Sequence, residues 1–206
     1  MVSYVNVHAV LENRRSQARE AASNSTVQPA TSQRADGAHT PGQGPRVIVV
    51  GPTDSGKSIL TRMLLGWAAR KSWKPTYVKL DIGQRSITIP GTIAATPIEM
   101  PIDPIEGVPL KVPLVFFYWH TTPRGWKVSI RLSRWASILT WCFIMIEVNT
   151  DLYRVLVKEL ARTPELQFVA NPDARAACMV INTVGWAEGI GYEVISSNSS
   201  DVLLGA

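Results

Sequence analysis

A run of eight residues in this 206-residue chain has the types and order needed to hold phosphate. Gly51-Pro52-Thr53-Asp54-Ser55-Gly56-Lys57-Ser58 meets the G-x-x-x-x-G-K-[ST] (Walker A) spacing at every fixed position. Glycines let such a loop fold tightly, so that successive backbone N–H groups point inward, and a helix starting at its end adds the positive end of its dipole. A triphosphate fits a nest of that charge. Lys57 would reach the β and γ phosphates as a point charge, the Ser58 hydroxyl would ligate Mg²⁺, and Ile59 would continue the cradle into the helix. The plainer alternative is an ordinary Gly/Ser turn. Magnesium held by Ser58 needs a further carboxylate, often through water, and Asp81 is the best placed, at the end of the next predicted strand. An aspartate there could equally cap the turn that follows.

These residues need a strand and a helix to position them. Val47-Ile48-Val49-Val50 is a short apolar run bounded by Pro45 and Gly51, as suits a strand buried on both faces of a parallel sheet. After the loop, Ile59, Leu60, Met63, Leu64, Trp67 and Ala68 recur at helical spacing as far as Ser72. Further strands are predicted at 76–80, 114–118 and 179–181, and a helix at 151–162, stopped by Pro164. Alternating strands and helices predict an α/β layer fold of the P-loop NTPase type, with a mostly parallel sheet and flanking helices. The opening residues 1–15 read as one short amphipathic helix. Residues 16–45 hold a single large aliphatic side chain, Val27, and read as a flexible linker.

Composition narrows the class. Apolar residues make up 46% and charged residues 18%, which fits a globular chain and no membrane role. Two cysteines, Cys142 and Cys178, are too few for a disulfide framework, so a reducing compartment is expected. The net charge of +5 is uninformative about nucleic acid, because residues 124–148 alone hold four basic groups against one acidic. That stretch carries three of the seven tryptophans and its apolar run is too short to span a membrane. No Asn-Lys-x-Asp motif is present, which argues against a small GTPase.

The words around the loop are more specific than the loop. Gly-Pro-Thr-Asp-Ser-Gly-Lys-Ser is followed by Pro75-Thr76-Tyr77-Val78, Leu80-Asp81-Ile82-Gly83-Gln84 and Ile87-Thr88-Ile89-Pro90-Gly91. Later come Val180-Ile181-Asn182-Thr183-Val184-Gly185-Trp186 and Gly189-Ile190-Gly191-Tyr192. Together with the opening Ser3-Tyr4-Val5-Asn6-Val7-His8, these strongly resemble the Clp1 family of polynucleotide 5′-hydroxyl kinases and pre-mRNA 3′-end processing factors, and the plant members most. The resemblance covers roughly 1–15, 45–123 and 149–193.

The resemblance implies a P-loop kinase domain that transfers the γ-phosphate of ATP to the 5′-hydroxyl of RNA in the nucleus, alongside cleavage and polyadenylation factors. By position, Gly51 to Ile59 would cradle ATP, Lys57 would stabilise the transferred group, and Ser58 with Asp81 would hold Mg²⁺. Asp81 would also help deprotonate the attacking hydroxyl. Gln84 would contact a phosphate or the RNA end, and Trp186 would stack on a base. A non-catalytic ATP-binding scaffold of the cleavage machinery is the alternative. The family also carries a domain on either side of the matched region, so this chain is expected to be a truncated form of reduced or no activity. Residues 124–148 and 194–206 do not match the family's words and are expected to be intron read-through. Lys79 stands where acidic residues are common in the family, and Arg85 where glycine is usual.

Overall fold

The computed structural model describes residues 2–24, 42–103, 105–108, 113–118, 150–177 and 179–185. In chain order the elements are α1 (Val2–Asn24), β1 (Arg46–Val49), α2 (Lys57–Arg70), β2 (Thr76–Lys79), β3 (Thr92–Pro97), β4 (Leu114–Phe117), α3 (Thr150–Ala170), α4 (Pro172–Ala177) and β5 (Met179–Asn182). The strands form one five-stranded sheet in the order β1-β5-β2-β3-β4. β5 pairs in parallel with both β1 and β2, while β3 is antiparallel to β2 and to β4. Four strands therefore run one way and β3 alone runs against them, which bears out the mostly parallel α/β sheet.

Both faces of the sheet are covered, which is why its strands read as continuous apolar runs. On one face Val78, Leu80, Ile93, Ala95, Met179 and Ile181 pack with Tyr153, Val157, Leu160 and Phe168 of α3. On the other, Val49, Tyr77, Ala94 and Val180 pack with Leu65 and Ala69 of α2. The helix that carries the end of the phosphate loop is thus seated on the strands whose ends surround it.

Three expectations need correction. Helix α1 does not stop at residue 15 but runs to Asn24, so the first third of the expected linker is helical. Its anchors are polar or small. Arg15 is fully buried and donates through Nε to the Ala177 carbonyl at 2.9 Å. Trp73 Nε1 donates to Glu12 Oε1 at 2.7 Å, the Arg19 guanidinium lies 3.8 Å from the Trp73 ring centroid, and Ala18 packs with Ala68, Ala176 and Ala177. Counting large aliphatic side chains overlooks such anchors. At the other end of the expected linker, Gly44 N–H donates to the Arg175 carbonyl at 2.9 Å, and residues 25–41 lie outside the described residues.

Helix α3 also runs past its expected stop, with Pro164 inside it. A proline there removes one backbone hydrogen bond. The burial of Leu160 and Phe168 on either side of it offsets that loss. Finally, β3 and α4 were not foreseen. β3 has the pattern Thr-Ile-Ala-Ala-Thr-Pro, whose small residues give a weak strand signal, yet its first five residues are buried between β2 and β4. The segments 124–148 and 194–206 lie outside the described residues. Among the described residues, no helix is long and apolar enough to cross a membrane.

Candidate functional site: a phosphate loop at the carboxyl edge of the parallel strands

The expected strand–loop–helix unit is present. Gly56 takes φ 82°, a left-handed conformation natural to glycine, and delivers the chain into α2 at Lys57. Asp54 is also left-handed, at φ 59°. A Cβ on Gly51 would come within 2.8 Å of Ser55 Oγ, so alanine there would turn that hydroxyl away from its place in the loop. The Pro52 carbonyl is the hub of the turn, accepting from Ser55 Oγ at 2.8 Å and from Lys57 Nζ at 2.6 Å. No side chain caps α2. Its first amides are therefore free of intrahelical partners, and they face the loop with the positive end of the helix dipole.

Lys57 is 7% exposed, whereas Pro52, Thr53, Asp54, Ser55 and Gly56 face solvent. Ile59 also points outward, at 67% exposure, so any part it takes is played by its backbone. Ser58 Oγ donates to Gln84 Oε1 at 2.5 Å and accepts from Asn182 Nδ2 at 3.2 Å. Gln84, expected to meet a phosphate or the RNA end, accepts the hydrogen of the proposed metal-ligating hydroxyl.

Asp81 lies just past the end of β2 and is nearly buried. One carboxylate oxygen, Oδ1, accepts from the Gly83 N–H at 3.0 Å, so the turn-capping geometry is realised. Burial raises the Asp81 pKa above the ordinary carboxylate value, and the Gly83 bond and the Lys57 and Lys79 ammonium groups oppose that rise. Lys57 and Asp81 thus feel each other across the edge of the sheet. The fully buried Lys79 bonds the Thr92 hydroxyl at 3.5 Å, and burial depresses its pKa to about 8.

The register explains the convergence. Asn182 stands opposite Val49 on one side and Lys79 on the other, so β1, β5 and β2 end in line. Ligands in open α/β sheets bind outside the carboxyl ends of the strands, and the loops after all three strands gather there. The loop after β5 is fastened to the end of β1 and abuts the phosphate loop. Thr183 Oγ1 donates to the Val49 carbonyl at 2.8 Å, and Gly185 abuts Thr53 so closely that a Cβ would fall 2.9 Å from Thr53 Cα. Trp186, the expected base-stacking residue, lies outside the described residues. Sequence reasoning missed Asn182, Thr183 and Gly185 as parts of the site. The available signal was a polar pair closing a buried apolar strand.

The donor set suits a hard cation. Ser58 Oγ gives its hydrogen to Gln84 and one lone pair to Asn182, which leaves one lone pair. Asp81 has a second carboxylate oxygen. Among the described residues no three His, Cys, Asp or Glu side chains gather in a cage. A magnesium ion here would thus complete its shell from phosphate and water, as is usual for it.

Comparison with known proteins agrees with this geometry. The family model described as mRNA cleavage and polyadenylation factor CLP1 P-loop matches residues 51–134 and 137–202, a span that includes most of 124–148 and part of the tail. The Protein CLP1 homolog of Arabidopsis thaliana is 53% identical over 195 residues, covering 95% of this chain and 36% of that protein. The Polyribonucleotide 5′-hydroxyl-kinase Clp1 of Mus musculus is 35% identical over 195 residues, again covering 95% of this chain and 36% of that protein. This chain therefore spans a little over a third of the length of these relatives. The solved structure of a wild-type Clp1p–Pcf11p complex superposes with a TM-score of 0.68 at 21% identity, over 98% of this chain and 40% of that one. With phosphate loop, sheet order and relatives in accord, this chain belongs to the Clp1 family.

Proposed function

We propose that this chain binds ATP with magnesium at the Gly51–Ser58 loop and serves transfer of the γ-phosphoryl group to the 5′-hydroxyl end of RNA. The setting we propose is the nucleus, with pre-mRNA cleavage and polyadenylation factors as partners. The observation that carries the reading is the meeting of Lys57, Ser58, Asp81 and Gln84 at one edge of the sheet, beside amides that favour anions. The name of the mouse relative, a polyribonucleotide 5′-hydroxyl kinase, supports the reaction class. The solved complexes with Pcf11p support a cleavage-factor partner, and one of them concerns ATP loss in a point mutant.

Each residue has a definite task in this reading. Lys57 spends one of its three N–H groups on Pro52 and keeps two for phosphate oxygens. Asp81 keeps one carboxylate oxygen free of the Gly83 bond, and its raised pKa makes it a better acceptor for the RNA hydroxyl proton. Ser58 and Asp81 would hold magnesium, which would neutralise charge on the moving phosphoryl group. The loop amides orient the triphosphate, and positioning of this kind is the larger part of phosphoryl-transfer catalysis.

One observation favours the second reading, a non-catalytic ATP-binding scaffold. Lys57 and Asp81 are each bonded to their own backbone neighbourhood. Incubation with ATP labelled in the γ-phosphate and a 5′-hydroxyl RNA oligomer separates the two. Transfer that Lys57→Ala abolishes is the result expected for the kinase. Tight ATP retention with no transfer selects the scaffold, and failure to bind ATP overturns both.

A further inference from the structure

We propose that Asn182 is a positioning residue for the magnesium-and-phosphate site, acting through the Ser58 hydroxyl. The inference rests on the nucleotide-binding reading above.

Asn182 closes β5, the central strand of the parallel half of the sheet, and is fully buried. Its Nδ2 donates to Ser58 Oγ at 3.2 Å, while its Oδ1 is buried with no hydrogen-bond partner. A buried acceptor without a partner costs roughly 1–3 kcal/mol. An apolar side chain would avoid that cost but would give up the bond to Ser58 and the side-chain interaction with the buried Tyr77 hydroxyl.

The Ser58 hydroxyl supplies the reason. A serine hydroxyl has one hydrogen and two acceptor lone pairs, and it rotates freely unless its neighbours fix it. Here Gln84 Oε1 takes the hydrogen at 2.5 Å and Asn182 Nδ2 occupies one lone pair. The two partners come from different loops and strands, so the rotor is held from two directions and the second lone pair is left for a hard cation. Removing Asn182 Nδ2 leaves the rotor held by Gln84 alone, without touching the phosphate loop. Partners of this kind, one bond removed from a metal, typically change metal affinity by about 10–100-fold when lost.

The test uses Asn182→Leu, which keeps the branched shape of the side chain and removes both polar atoms. A fluorescent ATP analogue is titrated in EDTA and then across magnesium concentrations, with thermal melting of each protein. The expected result is a melting temperature equal to or above wild type, EDTA binding within about twofold, and a magnesium midpoint raised about tenfold. In a Ser58→Ala background, Asn182→Leu should move the midpoint no further, because the hydroxyl through which it acts is gone. An unmoved midpoint, an equal shift in both backgrounds, or a variant that fails to fold would each overturn the inference. Lys57→Ala keeps the two claims apart. If it leaves ATP binding intact, the nucleotide site itself is wrong; if it abolishes binding while Asn182→Leu leaves magnesium dependence unchanged, only the role of Asn182 is wrong.

Discussion

Gly185→Ala is the perturbation whose effect can be worked most directly from the structure. The added Cβ would lie 2.9 Å from both Thr53 Cα and Thr53 N, where ordinary contact begins near 3.4 Å, so the two segments must part by about 0.5 Å. The Thr53 hydroxyl is nearer still and can swing aside, but Thr53 Cα and N are backbone and cannot. The loop after β5 cannot retreat easily either, since Thr183 ties it to the Val49 carbonyl at 2.8 Å. Overpacking of this kind costs about 1–3 kcal/mol. If the phosphate loop absorbs it, ATP binding weakens by about 5- to 140-fold at 1.4 kcal/mol per factor of ten. The assay is ATP titration together with thermal melting. Gly66→Ala is the matched control, because nothing lies within 4 Å of a Cβ there and the residue is inside α2. It should stabilise the protein by about 0.5–1 kcal/mol and leave ATP affinity alone. Gly185→Ala protein that binds ATP within about twofold of wild type, with an unchanged melting temperature, would refute the claim that this contact sets the loop.

Three other outcomes are expected. Asp81→Asn can still accept the Gly83 hydrogen bond, so urea denaturation should show stability within about 1 kcal/mol of wild type. On the proposed kinase reading, labelled-phosphate transfer should fall by about 100-fold or more, as expected for the loss of a general base. Tyr153→Phe removes a buried bond of 3.0 Å to the Leu80 carbonyl just before Asp81, and should cost about 1–3 kcal/mol in a denaturant melt. Lys79 titrates near 8 in the folded chain against 10.5 in the ordinary case, so the unfolded chain binds more protons between those values and stability rises with pH across that window. Lys79→Met removes the penalty of a buried ammonium. It should stabilise the protein by on the order of 1 kcal/mol at pH 7, an advantage that shrinks as pH rises through 8 toward 10.5 and that urea melts at several pH values would show.

The phosphate loop, the strand before it and the helix after it were legible because their signal is contiguous. An apolar run, a left-handed glycine and a helical repeat follow one another within about 25 residues, and each acts on its immediate neighbours. Asp81 was legible for a similar reason, as the acidic residue closing the next strand. The length of α1 was hidden because Arg15, Glu12 and Arg19 look like solvent-facing charges until Trp73 and the Ala177 carbonyl are brought to them. The span of α3 was hidden because a proline's local penalty says nothing about the core burial that outweighs it.

Who touches whom at the site was decided by tertiary structure alone. Sheet order places β5 between β1 and β2, and that insertion brings Asn182 to Ser58 across 124 positions of sequence. Gln84, 26 positions on in the sequence, likewise meets the Ser58 hydroxyl only in the folded chain. The amino-acid order specifies a phosphate nest through backbone geometry, which is local. The residues that aim its hydroxyl are assigned by strand register, a property of pairing between distant segments.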